Sequence, residues 1–98
     1  MYLKMNLNEA QLNAVEEMAG LFFSPEDIAA NLEMDEEDTD HFVSALESKK
    51  MSIPIVAAYL KGWLTAEITL RKAIRQSALN GSSPSQQILL NYQKESRK

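Results

Sequence analysis

Cysteine is missing from all 98 residues, which removes disulfides and thiolate chemistry and fits a reducing compartment. Histidine occurs once, as His41, so paired-histidine metal spacing cannot arise, and a surface or partly packed role suits it better than catalysis. Glycine is scarce, at positions 20, 62 and 81, and there is no glycine-rich phosphate loop and no nucleophile–base set. The carboxylates at 33–40 lack the glycine and spaced oxygens of a calcium loop. No apolar run approaches the ~20 residues of a membrane span, and Met1–Asn6 has no signal-peptide core. These absences predict a cytoplasmic protein that is not an enzyme, carries no cofactor or metal and does not meet a membrane.

What is present suits one small globular domain over residues 1–98: 45% hydrophobic and 24% charged residues. The net charge of -4 conceals a split, with twelve acids against Lys4 alone in residues 1–48, and nine bases against Glu67 and Glu95 in residues 49–98. The halves therefore carry -11 and +7, which sum to -4. They attract each other, address different partners, or form two solvated faces.

Capping signals divide the chain into about five helices and no strand, an all-α fold. Asn6 with Glu9 opens a first helix, with Ala10, Val15, Met18 and Phe22 at inward spacing. Ser24-Pro25-Glu26-Asp27 starts a second, burying Ile28, Ala29 and Leu32. Asp35 caps a third, acidic in its first turn, with Phe42, Val43 and Leu46 inward. Ser52 and Pro54 begin a long fourth helix over 54–79, which Asn80-Gly81 stops. Ser83-Pro84 with Gln86 opens a short last helix over 84–94 carrying Ile88, Leu89 and Tyr92, and Lys94–Lys98 is expected to fray.

Residues 24–47 have the pattern of a helix-turn-helix-like unit, expected to pack on the long fourth helix and the last one. Ile28-Ala29 supplies the small residue over which a second helix crosses, and Leu32, Met34 and Phe42 supply apolar positions. The turn position usually held by glycine is Glu33, and a usually apolar inward position is Thr39. The surface that would meet a groove is Asp35, Glu36, Glu37, Asp40 and His41. Phosphates repel such a set, and four carboxylates without a neighbouring base do not read base edges.

Winding 54–79 at 100° per residue gives a core stripe of Val56, Tyr59, Leu60, Trp63, Leu70 and Ile74 centred on Trp63. Beside it lie Ala57, Leu64 and Ile68, flanked by Lys61, Arg71, Lys72 and Arg75. That face suits a subunit interface through Leu64 and Ile68, a phosphate-tracking surface joined by Lys49 and Lys50, a dock for the acidic 35–47 helix of the same or a neighbouring chain, or plain solvation. Gly62 costs ~1 kcal/mol in a helix relative to alanine, and permits close approach of another helix.

The segment Ser24-Pro25-Glu26-Asp27-Ile28-Ala29 with Leu32 resembles the amino-terminal helix-turn-helix of phage terminase small subunits, which package DNA. The resemblance continues through Ala58-Tyr59, Gly62, Leu70-Arg71, Ile74, Ala78, Gly81-Ser82-Ser83, Leu89-Leu90 and Tyr92, covering about residues 20–93. It implies a prophage-derived protein that binds viral double-stranded DNA, forms a homo-oligomer and recruits the large terminase subunit. The acidic 35–40 stretch departs from a DNA-contacting helix, and 98 residues leave little room for long oligomerisation helices. Two other readings stay open: an oligomeric protein-interaction adaptor using its acidic helix, and a transcriptional regulator.

Overall fold

A computed structural model describes residues 6–96; Lys4, Arg97 and Lys98 lie outside them. Five helices and no strand make up the described residues: α1 (Glu9–Gly20), α2 (Pro25–Asn31), α3 (Glu36–Glu47), α4 (Pro54–Leu79) and α5 (Ser83–Ser96). The chain divides into two compact units, 1–66 and 67–98, with the division falling inside α4.

Each helix start has a specific hydrogen-bonding reason. At α1 the cap is Asn8 rather than Asn6: its Oδ1 accepts from Gln11 N–H at 2.8 Å, and Gln11 Oε1 accepts from Asn8 N–H at 2.9 Å. Glutamine closes this reciprocal box as well as glutamate does, so the start slips two residues. Ser24 caps α2 through Asp27 N–H at 3.1 Å, and Asp35 caps α3 through Asp38 N–H at 2.8 Å. Pro54 is the first residue of α4, where its missing N–H costs nothing. Ser82, one residue before the expected cap, receives Ser85 N–H at 3.4 Å at the start of α5, which includes Lys94 through Ser96 in helix.

The helix ends share one device, used mostly without glycine. After α1, Phe22 N–H donates to Ala19 O and Phe23 N–H to Met18 O, with Phe22 at φ 64°. The same two bonds recur at Glu33 (φ 59°) with Met34, at Lys49 (φ 52°) with Lys50, and at Gly81 (φ 96°) with Ser82. This 6→1 and 5→2 pairing satisfies carbonyls left over at a helix end, and it requires a left-handed residue.

In the first unit the core is Val15 and Ala19 of α1, Ile28 and Ala29 of α2, Phe42 and Ala45 of α3, and Ile55 and Val56 of α4. Full burial of each large apolar side chain contributes about 1.5–3 kcal/mol. Phe42 also meets Tyr59 edge-on at 6.0 Å. α4 packs on α1 where Gly62 faces the backbone of Glu16: a Cβ at 62 would lie 2.0 Å from the Glu16 carbonyl oxygen. The expected close approach is therefore at this glycine.

Several expected core positions are not core. Ala10 is exposed, and Phe22 lies beyond the helix end, 46% exposed. Trp63, the expected centre of the α4 stripe, is 38% exposed and meets Phe22 edge-on at 5.8 Å. The reason lies one residue away: Gly62 brings the backbones together, so the contact line centres on the smallest residue of the helix and the indole stands at its margin.

In the second unit the carboxyl half of α4 packs on α5. Ala78 is buried, Ser85 Oγ donates to Ser77 Oγ at 3.0 Å, and Gln86 Nε2 donates to Ala78 O at 3.1 Å. α5 buries none of its residues, and Leu70, Leu79, Ile88 and Leu90 are exposed, so Leu70 and Ile88 are also not the core positions their spacing suggested.

Candidate nucleic-acid interface

The α2–α3 pair is joined through Leu32–Asp35, and Glu33 takes the left-handed conformation for which glycine was the expected occupant. Thr39 bonds locally, its Oγ1 donating to Asp35 O at 2.8 Å, and is half-buried. Asp38 is 4% exposed in the first turn of α3, where the positive end of the helix dipole favours a carboxylate. Asp35, Glu36, Glu37 and Asp40 are exposed. The outer surface of α3 is thus negative, as its sequence implied.

His41 is half-buried, and its Nδ1 is buried with no hydrogen-bond partner. An imidazole used as a base is normally held by an acceptor on that nitrogen. Tyr59 has its phenol pushed above the ordinary 10.0, first by burial and then by the Glu26 carboxylate. Both effects disfavour the phenolate.

The expected phosphate-contacting cations fall into three settings. Lys49 and Lys50 are exposed at the end of α3, where a cation also complements the negative end of the helix dipole. Lys61 is exposed on α4 in the first unit, 3.7 Å from Glu16 of α1. In the second unit, Arg71 is held on two sides: its Nε donates to Glu67 Oε1 at 2.9 Å, and its guanidinium lies 3.9 Å from the Tyr92 ring centroid. Arg71 therefore fastens α5 to α4. Its partner Tyr92 was visible in the sequence only as an apolar position, because nothing in a linear pattern reports which ring meets which cation.

Lys72 and Arg75 are exposed, three residues apart and so on neighbouring turns of one face. Ile68 and Leu79 extend that face and are exposed as well. Leu64, the other expected interface residue, is exposed in the first unit. Among the described residues no group of three or more His, Asp or Glu could hold a metal, and no helix is long and apolar enough to cross a membrane. Comparison with protein-family models, with curated proteins and with solved structures returned no match.

Proposed function

We propose that this chain is a non-catalytic, duplex-DNA-binding protein of the phage DNA-packaging type, acting in the cytoplasm as a homo-oligomer beside a large terminase subunit. Its helix-turn-helix-like α2–α3 pair serves packing. Phosphates are met by the second unit, through Lys72 and Arg75 with Lys94. The observation that carries this reading is the exposed Lys72–Arg75 pair on a unit whose residues 67–98 hold six bases against two acids, a net +4. Arg71 contributes by holding the two helices together, since its charge is already shared with Glu67.

Binding to duplex DNA measured against salt tests it. Each phosphate neutralised contributes about -0.9 to the slope of log K against log salt, so Lys72→Gln with Arg75→Gln should make the slope shallower by about 2. Absence of binding by the wild-type chain at low salt, or an unchanged slope in the double variant, overturns the reading. The exposed Glu36 and Asp40 of α3 favour a second reading, an adaptor whose acidic helix meets a basic protein partner. In that case Glu36→Lys with Asp40→Lys abolishes partner binding, while the Lys72 and Arg75 substitutions leave it intact.

A further inference from the structure

Two exposed apolar surfaces of the chain lie in units of opposite net charge. The first lies in unit 1, where the Phe22–Trp63 contact joins Leu21, Phe22 and Phe23 at the end of α1 to Trp63 and Leu64 of α4. Leu21 is 65% and Leu64 55% exposed, and the five side chains present on the order of 500 Å² to solvent, within the ~300–600 Å² typical of the largest patch on a monomer. Phe22 reaches this position with φ at 64°, a conformation unfavourable for a bulky side chain. Glu17, Glu26 and Asp27 are exposed in the adjoining sequence.

The second surface lies in unit 2. Ile68, Lys72, Arg75 and Leu79, spaced by four, three and four residues, form one stripe of α4, with Leu79 71% exposed. The helix opposite gives this unit little core, because α5 buries none of its residues. By sequence, residues 1–66 hold four bases and twelve acids, a net -8, against +4 for residues 67–98.

We propose that copies of this chain associate head to tail, the Ile68–Leu79 stripe of one copy docking on the Phe22–Trp63 patch of the next. Apolar side chains meet at the centre, and Lys72 and Arg75 meet the Glu26 and Asp27 side of the patch. The patch is smaller than the about 800 Å² per partner that a standard interface buries, so the contact is a weak one whose occupancy follows concentration. Because the two surfaces differ, the contact is heterologous, and each molecule keeps one free surface of each kind until the assembly closes or grows. This proposal rests on the homo-oligomer of the proposed function and gives it its surfaces, but it does not depend on DNA contact. The two do draw on the same two cations, so a duplex competes with the neighbouring copy.

Mixing separates the possibilities. The head variant is Phe23→Lys with Glu26→Lys, and the tail variant is Lys72→Glu with Arg75→Glu, each checked for unchanged helicity by circular dichroism. Sedimentation of the full chain without DNA, over a wide concentration range, should show mass rising with concentration for wild type and a monomer for each variant alone. Mixed one to one, the variants should form a dimer and nothing larger, since one sound head and one sound tail remain between them. A wild type that stays monomeric at every concentration, either variant associating like wild type, or a mixture that stays monomeric overturns the proposal. If the head pair does not fold, Leu21→Lys with Asp27→Lys serves in its place under the same criteria.

Discussion

Replacing Gly62 by alanine adds a single methyl group, and its effect can be worked out from the α1–α4 crossing. The new Cβ would lie 2.0 Å from the Glu16 carbonyl oxygen, 2.8 Å from its carbon and 2.9 Å from its Cα. All three are backbone atoms, so no rotamer change relieves the clash. A carbon and an oxygen in contact rest near 3.3 Å, so the helices must separate by more than about 1 Å locally. Overpacking of this kind costs about 1–3 kcal/mol, and moving a helix backbone belongs at the upper end. Against that, alanine gains about 1 kcal/mol of helix propensity over glycine. The net loss is about 2 kcal/mol, or a fall of roughly 8–16 °C in Tm for a domain of this size.

Thermal melts followed by far-ultraviolet circular dichroism measure that fall directly, and Gly20→Ala is the control. A Cβ at Gly20 would sit 3.4 Å from Gly62 O and 3.8 Å from Ala66 Cβ, ordinary contact at a position without positive φ. That variant should melt at or above the wild-type temperature. If Gly62→Ala melts as high as wild type, the close crossing of α1 and α4 is wrong, and with it the explanation of why Trp63 stands outside the core.

Other expectations follow from local geometry. Glu33→Gly should stabilise by up to about 1 kcal/mol in urea denaturation, because relief of the left-handed backbone exceeds the entropy glycine adds to the unfolded chain; Lys49→Gly should act in the same direction. Phe42→Ala should cost about 3–5 kcal/mol and leave the first unit unfolded or nearly so at 37 °C, checked by the same titration. Tyr59 has a folded-state pKa above its unfolded one, so its contribution is fully present below pH 10 and is lost as pH climbs through the raised value. Unfolding free energy should therefore fall above about pH 10, and Tyr59→Phe should flatten that part of the profile. Tyr92→Ala removes the ring under Arg71 and should cost about 0.5–1 kcal/mol, read as faster amide exchange in α5 with that of α2 unchanged.

The parts of the fold that could be read from the sequence are those governed by local chemistry. Pro54 and Asn80-Gly81 bound α4 at 54–79, because a missing N–H and a residue tolerant of positive φ act within a turn of themselves. Ser24 and Asp35 mark their helices for the same reason. Burial was harder to read, since it depends on what stands opposite. Ala10, Phe22, Trp63 and Leu70, placed inward by helical spacing, are exposed, while Ala19, Ala45 and Ile55, which that spacing did not single out, are core. Of the expected phosphate contacts, the exposure of Lys72 and Arg75 could be anticipated from helical winding. The engagement of Arg71 by Glu67 could have been found from their i,i+4 spacing, whereas its stacking on Tyr92 depends on how α5 folds back.

Three of these helices stop at Phe22, Glu33 and Lys49, residues with no intrinsic liking for the conformation that stops them. Glycine would break each helix even in a short peptide, whereas here the break has to be enforced from outside. Met34, just past the α2 stop, packs against the core, and the seven-residue α2 is too short to persist alone. A peptide spanning residues 6–35 should therefore show no chemical-shift boundary at 33, while Pro25 keeps the one that precedes α2. The stops at 33 and 49 would arise only as the core closes, making the ends of α2 and α3 a product of folding, whereas their starts are written locally in Ser24 and Asp35.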